Sequence, residues 1–244
     1  MAMAVCAGIN HAANLRFFSY LSAVNCKVVI FDLDGTLLDT LEDLAAAVNY
    51  AMNEDGFPLH SLAEYRLMVG HGVRNLVTQA LPESFRSEAQ IDRSLAFFKD
   101  YYTSHIDVHT HPYPGMQELV QKLDAAGVML AVASNKFQSG TEYLVRRFFP
   151  GIPFVAILGN REGFPLKPDP EIVGEVLRKA DVCRDSAVLV GDSLTDMKTA
   201  MNGGIRGIPV GWGYRDMDGG INSAEELWGR LSGEVLASDD STNV

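Results

Sequence analysis

Six polar residues in this sequence could together bind a divalent metal ion and a phosphate group. Each follows a run of apolar residues, directly or within a short loop, and they are Asp32, Asp34, Ser134, Lys167, Asp192 and Asp196. Mg²⁺ prefers oxygen ligands and is usually held by one or two carboxylates together with substrate phosphate oxygens. Lysine and hydroxyl groups can bind the remaining phosphoryl oxygens. These residue types predict phosphate chemistry, provided that the fold brings them together.

The apolar runs alternate with segments of helical periodicity, which predicts a parallel sheet. Strands are predicted at 27–32, 128–133, 154–158, 187–190 and 207–210, and helices near 116–126, 138–148, 169–180 and 194–202. Strands separated by helices of this length form βαβ units. In a doubly wound sheet, ligands bind beyond the carboxyl ends of the strands, where the six residues are expected. We therefore predict an α/β fold with a doubly wound parallel sheet.

A helical block interrupts this alternation after the first strand. Leu41, Leu44 and Val48 recur at helical spacing, with Thr40 placed to cap the helix, and no strand pattern occurs at 61–104. We predict an inserted all-helical domain. The predicted divisions are an N-terminal extension at 1–25, an α/β core at 26–40 and 113–236, the helical insertion at 41–112, and a flexible tail at 237–244.

Composition restricts the range of partners. The chain has 244 residues and a net charge of −11, which argues against binding to a nucleic-acid backbone. No apolar run reaches the roughly 18 residues of a membrane-spanning helix, and the N-terminus lacks the basic start of a secretory signal. Three cysteines without a CxxC pair suit a reducing compartment. We expect a cytoplasmic protein without nucleic-acid or membrane partners, either a monomer or a homodimer.

Four motifs in order along the chain give the sequence a family resemblance. They are DLDGT at 32–36, ASN at 133–135, KPDP at 167–170 and GDSLTD at 191–196. With them, the chain from about 27 to 231 resembles the haloacid dehalogenase superfamily of phosphatases, in its phosphoglycolate-phosphatase-like branch. The resemblance implies a Rossmann-like core with a helical cap. It also implies a Mg²⁺-dependent hydrolase of a small phosphorylated metabolite.

The resemblance assigns roles to the motif residues. Asp32 is expected to be the nucleophile that forms an aspartyl-phosphate, and Asp34 the general acid and base. Lys167 is expected to place positive charge beside the nucleophile. The expected Mg²⁺ ligands are the carboxylates of Asp32 and Asp192 and the backbone carbonyl of Asp34.

Further residues are expected to support these groups. The expected phosphate-binding residues are Thr36, Ser134 and Asn135, with Thr36 also holding the loop of Asp34. Asp196 is expected to orient either metal-bound water or Lys167, and the sequence leaves that choice open. In the cap, His71 and Arg74 are candidate substrate contacts.

Other functions and other candidate residues remain open at this point. A phosphosugar mutase, a pyrophosphatase or a nucleotidase would use the same motifs, although mutases tend to have valine in place of Thr36. A haloacid dehalogenase typically lacks the second aspartate, Asp34. A non-catalytic scaffold would keep the fold without turnover. Lys136 is either solvated or functional, and the glycine-rich loop 212–220 either closes one side of the cleft or is an ordinary surface loop.

Overall fold

The computed structural model of the protein describes residues 26–235, so the predicted extension at 1–25 and tail at 237–244 lie outside the described residues. The strands are β1 (Val28–Phe31), β2 (Leu38–Asp39), β3 (His111–Pro112), β4 (Met129–Phe137), β5 (Ala156–Asn160), β6 (Ala187–Gly191) and β7 (Arg206–Pro209). The helices are α1 (Leu41–Glu54), α2 (Leu62–Met68), α3 (Val73–Ala80), α4 (Glu88–Ser104), α5 (Met116–Ala125), α6 (Gln138–Phe148), α7 (Glu171–Ala180), α8 (Leu194–Gly203) and α9 (Ala224–Val235).

Five parallel strands form the central sheet in the order β5–β4–β1–β6–β7. β1 lies in the middle, where Val28 is paired with Met129 of β4 and Ala187 of β6. Successive side chains of β1 point to opposite faces, so Val28 and Ile30 pack towards α7 and α8 while the alternate residues join the larger apolar cluster on the other face. All four residues of β1 are fully buried. The predicted α/β fold with a parallel sheet is confirmed.

The inserted helices α1–α4 stand above one end of this sheet. They are connected to it through β2 and β3, which pair antiparallel, with Leu38 opposite Pro112. The insertion is held at this hinge by the buried carboxylate of Asp43, which accepts hydrogen bonds from the backbone N–H groups of His109 and Thr110. Because β2 and β3 meet beside the first loop, the insertion lies over the carboxyl ends of the strands. The exact division into core and cap stays a prediction.

Five elements of the described residues differ from the sequence predictions. β2 and β3 have only two residues each, too few to show an alternating pattern. The second large strand continues to Phe137 instead of ending at 133, with an irregular register between Ala133 and Phe137. The third begins at Ala156 rather than 154, where its pairing with Ala131 of β4 starts. The terminal helix α9 was not predicted as a separate element.

Within residues 26–235, none of the helices combines the length and the hydropathy that a membrane crossing requires.

Candidate active site

Three strands of the sheet end in one cleft under the inserted helices. The loop after β1 carries Asp32 and Asp34, the end of β4 carries Ser134, and the loop after β6 carries Asp192. All four residues line the cleft. Parallel strands place their carboxyl ends at the same edge, and this edge is where ligands bind in doubly wound sheets. The opposite wall comes from the inserted helices and includes Phe98.

Lys167 lies next to the cleft, against Asp32, and forms the electrostatic centre of the site. Its Nζ lies 2.9 Å from Asp32 Oδ1 and 2.6 Å from Asp196 Oδ1, and its side chain is only 2% exposed. Burial alone would lower the pKa of Lys167, but the charges of Asp196 and Asp32 outweigh burial and raise it. The lysine is therefore protonated, and it holds a fixed positive charge beside Asp32.

Asp32, Asp192 and Asp196 form a cluster in which one oxygen of each lies within 4.8 Å of the others. Burial raises the pKa of the Asp32 carboxyl well above its usual range, Asp196 raises it further, and Lys167 partly offsets both effects. Burial, and next the charge of Asp196, raise the pKa of Asp192 to about 6. The three aspartates outnumber the one buried lysine, so the cluster carries more negative than positive charge where water is largely excluded. Oxygen ligands with excess negative charge fit a divalent cation such as Mg²⁺.

Glycines allow the backbone to approach Asp192 from two sides. A Cβ on Gly35 would lie 2.4 Å from Asp192 Oδ2, and a Cβ on Gly213 would lie 2.2 Å from the Gly35 carbonyl oxygen. Gly35 also has a φ of +83°, a backbone conformation that residues other than glycine rarely adopt. The Tyr214 backbone N–H donates to Asp192 Oδ2 at 2.7 Å. Only glycine at 35 and 213 permits this packing around the carboxylate.

Asp196 uses both of its oxygens on protein groups. Oδ1 accepts from Lys167, and Oδ2 accepts from the Ser193 hydroxyl at 2.5 Å and from the Ser193 backbone N–H at 3.2 Å. Ser193 and Asp196 form a capping box at the start of α8, as serine followed by an acid three residues later favours. Of the two roles left open by the sequence, these contacts favour orientation of Lys167.

Asp34 faces a different set of partners from Asp32. Its Oδ1 accepts from the Thr40 hydroxyl at 2.6 Å and from Lys136 Nζ at 3.2 Å. The prediction that Thr40 caps α1 through its side chain is wrong, because the hydroxyl is used on Asp34 and makes no capping hydrogen bond. The Tyr214 hydroxyl lies 3.1 Å from the Thr40 hydroxyl and supports it.

The three residues expected to bind phosphate lie near this centre, and each has different hydrogen-bond partners. Ser134 is buried, and its Oγ accepts from the Lys136 backbone N–H at 3.2 Å. The Thr36 hydroxyl faces Asp192 Oδ1 at 3.4 Å. The Asn135 amide accepts from the Lys167 backbone N–H at 2.8 Å and donates to carbonyls of Lys167 and Gly70. Asn135 therefore joins the Lys167 loop to the insertion, and direct phosphate contact by these three residues stays a prediction.

Comparison with known proteins assigns this fold and cleft to a family. The model of the haloacid dehalogenase-like hydrolase family matches residues 29–210, which is most of the chain. The chain belongs to this family. The match includes all six candidate residues, Asp32, Asp34, Ser134, Lys167, Asp192 and Asp196.

Relatives within the family share an activity. Residue identity is 36% over 191 residues with a phosphoglycolate phosphatase of Mesorhizobium japonicum, covering 78% of this chain and 84% of the relative. It is 31% over 194 residues with a phosphoglycolate phosphatase of Vibrio parahaemolyticus, covering 77% and 85%. The hydrolase described here is accordingly a phosphoric monoester hydrolase similar to phosphoglycolate phosphatases.

Solved structures agree with this assignment. A protein of Lactobacillus delbrueckii subsp. bulgaricus that is assigned as a phosphoglycolate phosphatase superimposes with a TM-score of 0.80 at 33% identity, covering 85% of this chain and 98% of that one. CbbY of Rhodobacter sphaeroides, solved in complex with phosphate, gives a TM-score of 0.63 at 25% identity, covering 81% and 92%.

The two cap candidates of this hydrolase do not line the cleft in the structure. Arg74 is half exposed and forms ion pairs with Glu88 and Asp92 of α4. His71 is exposed, whereas its neighbours Gly70 and Gly72 reach the cleft wall. Contact of His71 or Arg74 with the substrate stays a prediction.

Sequence reasoning undervalued four residues of the hydrolase. Lys136 is buried against Asp34, and Tyr102 of α4 accepts from Lys136 at 2.7 Å. Tyr214 and Arg215 line the cleft, so the loop 212–220 does form one of its sides. Arg215 donates to backbone carbonyls of Leu67 and Val69 in the cap. The only sequence signal for Lys136 was its place directly after the ASN motif. Tyr102 gave none, because helical periodicity marks it simply as core.

Proposed function

We propose that the protein is a Mg²⁺-dependent phosphatase that hydrolyses a small phosphomonoester through an aspartyl-phosphate on Asp32. The observation that carries the proposal is the ion pair of Lys167 with Asp32 at 2.9 Å, inside a cluster of three carboxylates. A carboxylate kept beside a lysine at the end of a central strand is placed to attack a phosphoryl group whose charge the lysine offsets.

The carboxylate cluster supports the metal in this proposal. The carboxylates of Asp32 and Asp192 and the backbone carbonyl of Asp34 would hold the ion, while both oxygens of Asp196 already have protein partners. When bound, Mg²⁺ supplies positive charge that reduces the repulsion between carboxylates and the phosphoryl oxygens.

In the first half of the reaction, a carboxylate oxygen of Asp32 attacks phosphorus. A bond forms between Asp32 and phosphorus, and the bond from phosphorus to the leaving-group oxygen breaks. Asp34, protonated at this stage, gives its proton to that oxygen, so the product leaves as an alcohol. Lys167 stabilises the negative charge of the phosphoryl oxygens during the transfer.

In the second half, water attacks the phosphorus of the aspartyl-phosphate. Asp34 accepts a proton from this water, the bond from phosphorus to Asp32 breaks, and orthophosphate is released. Asp34 then carries the proton needed for the next turnover, and Asp32 is again a carboxylate. Ser134 and Asn135 are proposed to contact the phosphoryl oxygens, and Thr36 to keep the loop in place.

The relatives named phosphoglycolate phosphatases make phosphoglycolate the first substrate to test. The cap, which lies over the cleft, excludes bulk water and selects the leaving group. Pyrophosphate and nucleotides belong in the same panel, because the shared chemistry of the core does not distinguish them.

The test is a phosphate-release assay over phosphoglycolate, sugar phosphates, nucleotides, pyrophosphate and p-nitrophenyl phosphate. Each is measured with Mg²⁺, with EDTA, and with the Asp32→Asn variant. Asp185→Asn serves as the matched control, because Asp185 is exposed in the turn before β6, at the amino end of that strand and away from the cleft. We expect turnover that is lost with EDTA and with Asp32→Asn but kept in the control. Turnover that persists in Asp32→Asn would contradict the proposal.

A further inference from the structure

Lys136 is a buried cation that the reaction described above does not use. It lies at the end of β4 with only 2% of its side chain exposed, and its Nζ donates to Asp34 Oδ1 at 3.2 Å and to the Tyr102 hydroxyl at 2.7 Å. A charged amine that is so deeply buried is kept only where its hydrogen-bonding capacity is used. Its partners are a proposed catalytic residue of the core and a tyrosine of the cap.

The side-chain hydrogen bonds that Asp34 accepts from Lys136 and Thr40 are both made by the same carboxylate oxygen. Oδ1 accepts from both Lys136 and Thr40, while no protein group within residues 26–235 donates to Oδ2. Two donors on one oxygen fix the rotation of the carboxyl group. Oδ2 is then the oxygen left to exchange a proton with the leaving group or with water, because the cleft that Asp34 lines is where the substrate must lie.

Tyr102 connects this arrangement to the cap. It is fully buried on α4, where its ring stacks on Phe98 at a centroid distance of 5.0 Å and meets the edge of Phe137 at 6.0 Å. Phe98 belongs to the same cap helix, whereas Phe137 belongs to β4 of the core. The chain of contacts from Tyr102 through Lys136 to Asp34 therefore crosses from the cap to the core.

We propose that Lys136 is a positioning residue that orients Asp34 for proton transfer to the leaving group, and that the cap completes this orientation through Tyr102. This inference rests on the proposed function and adds to it that the acid is fully aligned only while α4 lies against β4. The cap would then contribute to the chemistry of the leaving group as well as to its selection.

The dependence of rate on the leaving group separates this role from others. p-Nitrophenolate leaves without help from an acid, whereas phenolate is a poorer leaving group and needs a proton. The two aryl phosphates differ only by the nitro group, and reporting kcat separately from KM keeps a difference in binding out of the comparison. We compare kcat and KM for both with the wild-type enzyme, Lys136→Met and Tyr102→Phe. Tyr101→Phe is the matched control, since Tyr101 is the neighbour on α4 and its ring stacks on Tyr50 and His105.

In Lys136→Met we expect kcat for phenyl phosphate to fall about 10- to 100-fold more than kcat for p-nitrophenyl phosphate, as part of an acid contribution of typically 10²–10⁴. KM should change little. Tyr102→Phe removes a single hydroxyl and should shift the same ratio by about 3- to 10-fold. Tyr101→Phe should leave the ratio unchanged.

Equal losses for both substrates, or a rise in KM with unchanged kcat, would overturn the inference, because a structural residue or a direct substrate contact gives those results. If Lys136→Met does not fold, Tyr102→Phe decides, and an unchanged ratio in that variant overturns it. Failure of the proposed function has a separate signature, which is wild-type hydrolysis of p-nitrophenyl phosphate that survives Asp32→Asn.

Discussion

Lys167 and Lys136 are two buried lysines, each paired with an aspartate of the first loop, but different parts of the molecule hold them. Lys167 contacts Asp32 and Asp196, which both belong to the core. Lys136 contacts Asp34, which belongs to the core, and Tyr102, which belongs to the cap. The side chains of both lysines are 2% exposed, so burial does not explain the difference.

In the proposed reaction, this difference separates the groups that act on phosphorus from the groups that act on the leaving group. The groups that meet phosphorus are fixed by elements of the core alone, including the capping box that holds Asp196 and the glycines around Asp192. The groups that meet the leaving group depend on a contact with the cap. On this proposal, the chemistry at phosphorus depends on the core, while the cap determines which leaving group is protonated efficiently.

The first prediction compares the two lysines by turnover of p-nitrophenyl phosphate. Lys167→Met should lower kcat by about 10²–10³, because it removes a charge aimed at the phosphoryl oxygens. Lys136→Met should change the same kcat only a few-fold, because this substrate needs little acid assistance. Steady-state kinetics at saturating Mg²⁺ measure both values. Equal losses of kcat in the two variants would contradict the proposal that Lys167 acts on the phosphoryl group and Lys136 on the leaving group.

The second prediction compares the same variants by stability. Lys167→Met leaves Asp32 and the fully buried Asp196 without their cation, and should lower the free energy of unfolding by about 3–5 kcal/mol. Lys136→Met should cost about 1–3 kcal/mol, since Asp34 keeps its bond from Thr40. Urea denaturation in EDTA measures both. A larger loss in Lys136→Met would contradict this order and show that the contact between cap and core contributes more to stability than the Lys167 ion pairs do.

The third prediction concerns the metal, which we assign to the core side. Burial and Asp196 raise the pKa of Asp192 to about 6, so below pH 6 the metal-free carboxyl is protonated and must lose its proton before it can bind a cation. Protonation of Asp192 should therefore raise the Mg²⁺ dissociation constant as pH falls below 6, and this group alone accounts for at most about tenfold per unit. Titration calorimetry measures it, and Tyr102→Phe should leave this profile unchanged. A profile that is flat between pH 5 and 7 would be evidence against Asp192 as a ligand.

The fourth prediction tests the close packing around Asp192. Gly213→Ala would place a Cβ 2.3 Å from Asp192 Cβ, and should destabilise the protein by about 1–3 kcal/mol and weaken Mg²⁺ binding. Gly229→Ala is the matched control, because Gly229 lies within α9 with no atom within 4 Å of an added Cβ, and it should stabilise the protein by about 0.5–1 kcal/mol. Thermal unfolding with and without Mg²⁺ distinguishes them. A Gly213→Ala protein of wild-type stability would mean that the loop has room to move.

The core side of the site was predictable from sequence because most of its residues follow predicted strands directly. The position of Asp32 after β1 and of Asp192 after β6 is determined by strand order, which a pattern of apolar runs reveals. A loop separates Lys167 from its strand, so strand order predicts only that it lies at this end of the sheet, and the family motif adds the prediction that it lies beside Asp32.

The cap side was less predictable because it depends on how helices pack. Tyr102 has the spacing of an ordinary core residue, and nothing in the sequence indicates that its hydroxyl meets a lysine 34 positions later. Thr40 occupies the position of a helix cap, but a nearby carboxylate competes successfully for its hydroxyl. Tertiary contacts between separate segments decided both cases.

The most direct measurement is to trap the phosphoenzyme of the Asp34→Asn variant. The variant is mixed with p-nitrophenyl phosphate and Mg²⁺, quenched in acid, digested and mapped by mass spectrometry. The first half-reaction with this substrate does not need Asp34, whereas attack by water does, so a phosphoryl group on Asp32 should accumulate. Asp32→Asn should carry none. A phosphoryl group on another residue, or steady phosphate release by Asp34→Asn with Asp32 unmodified throughout, would contradict the central claim that Asp32 is the nucleophile.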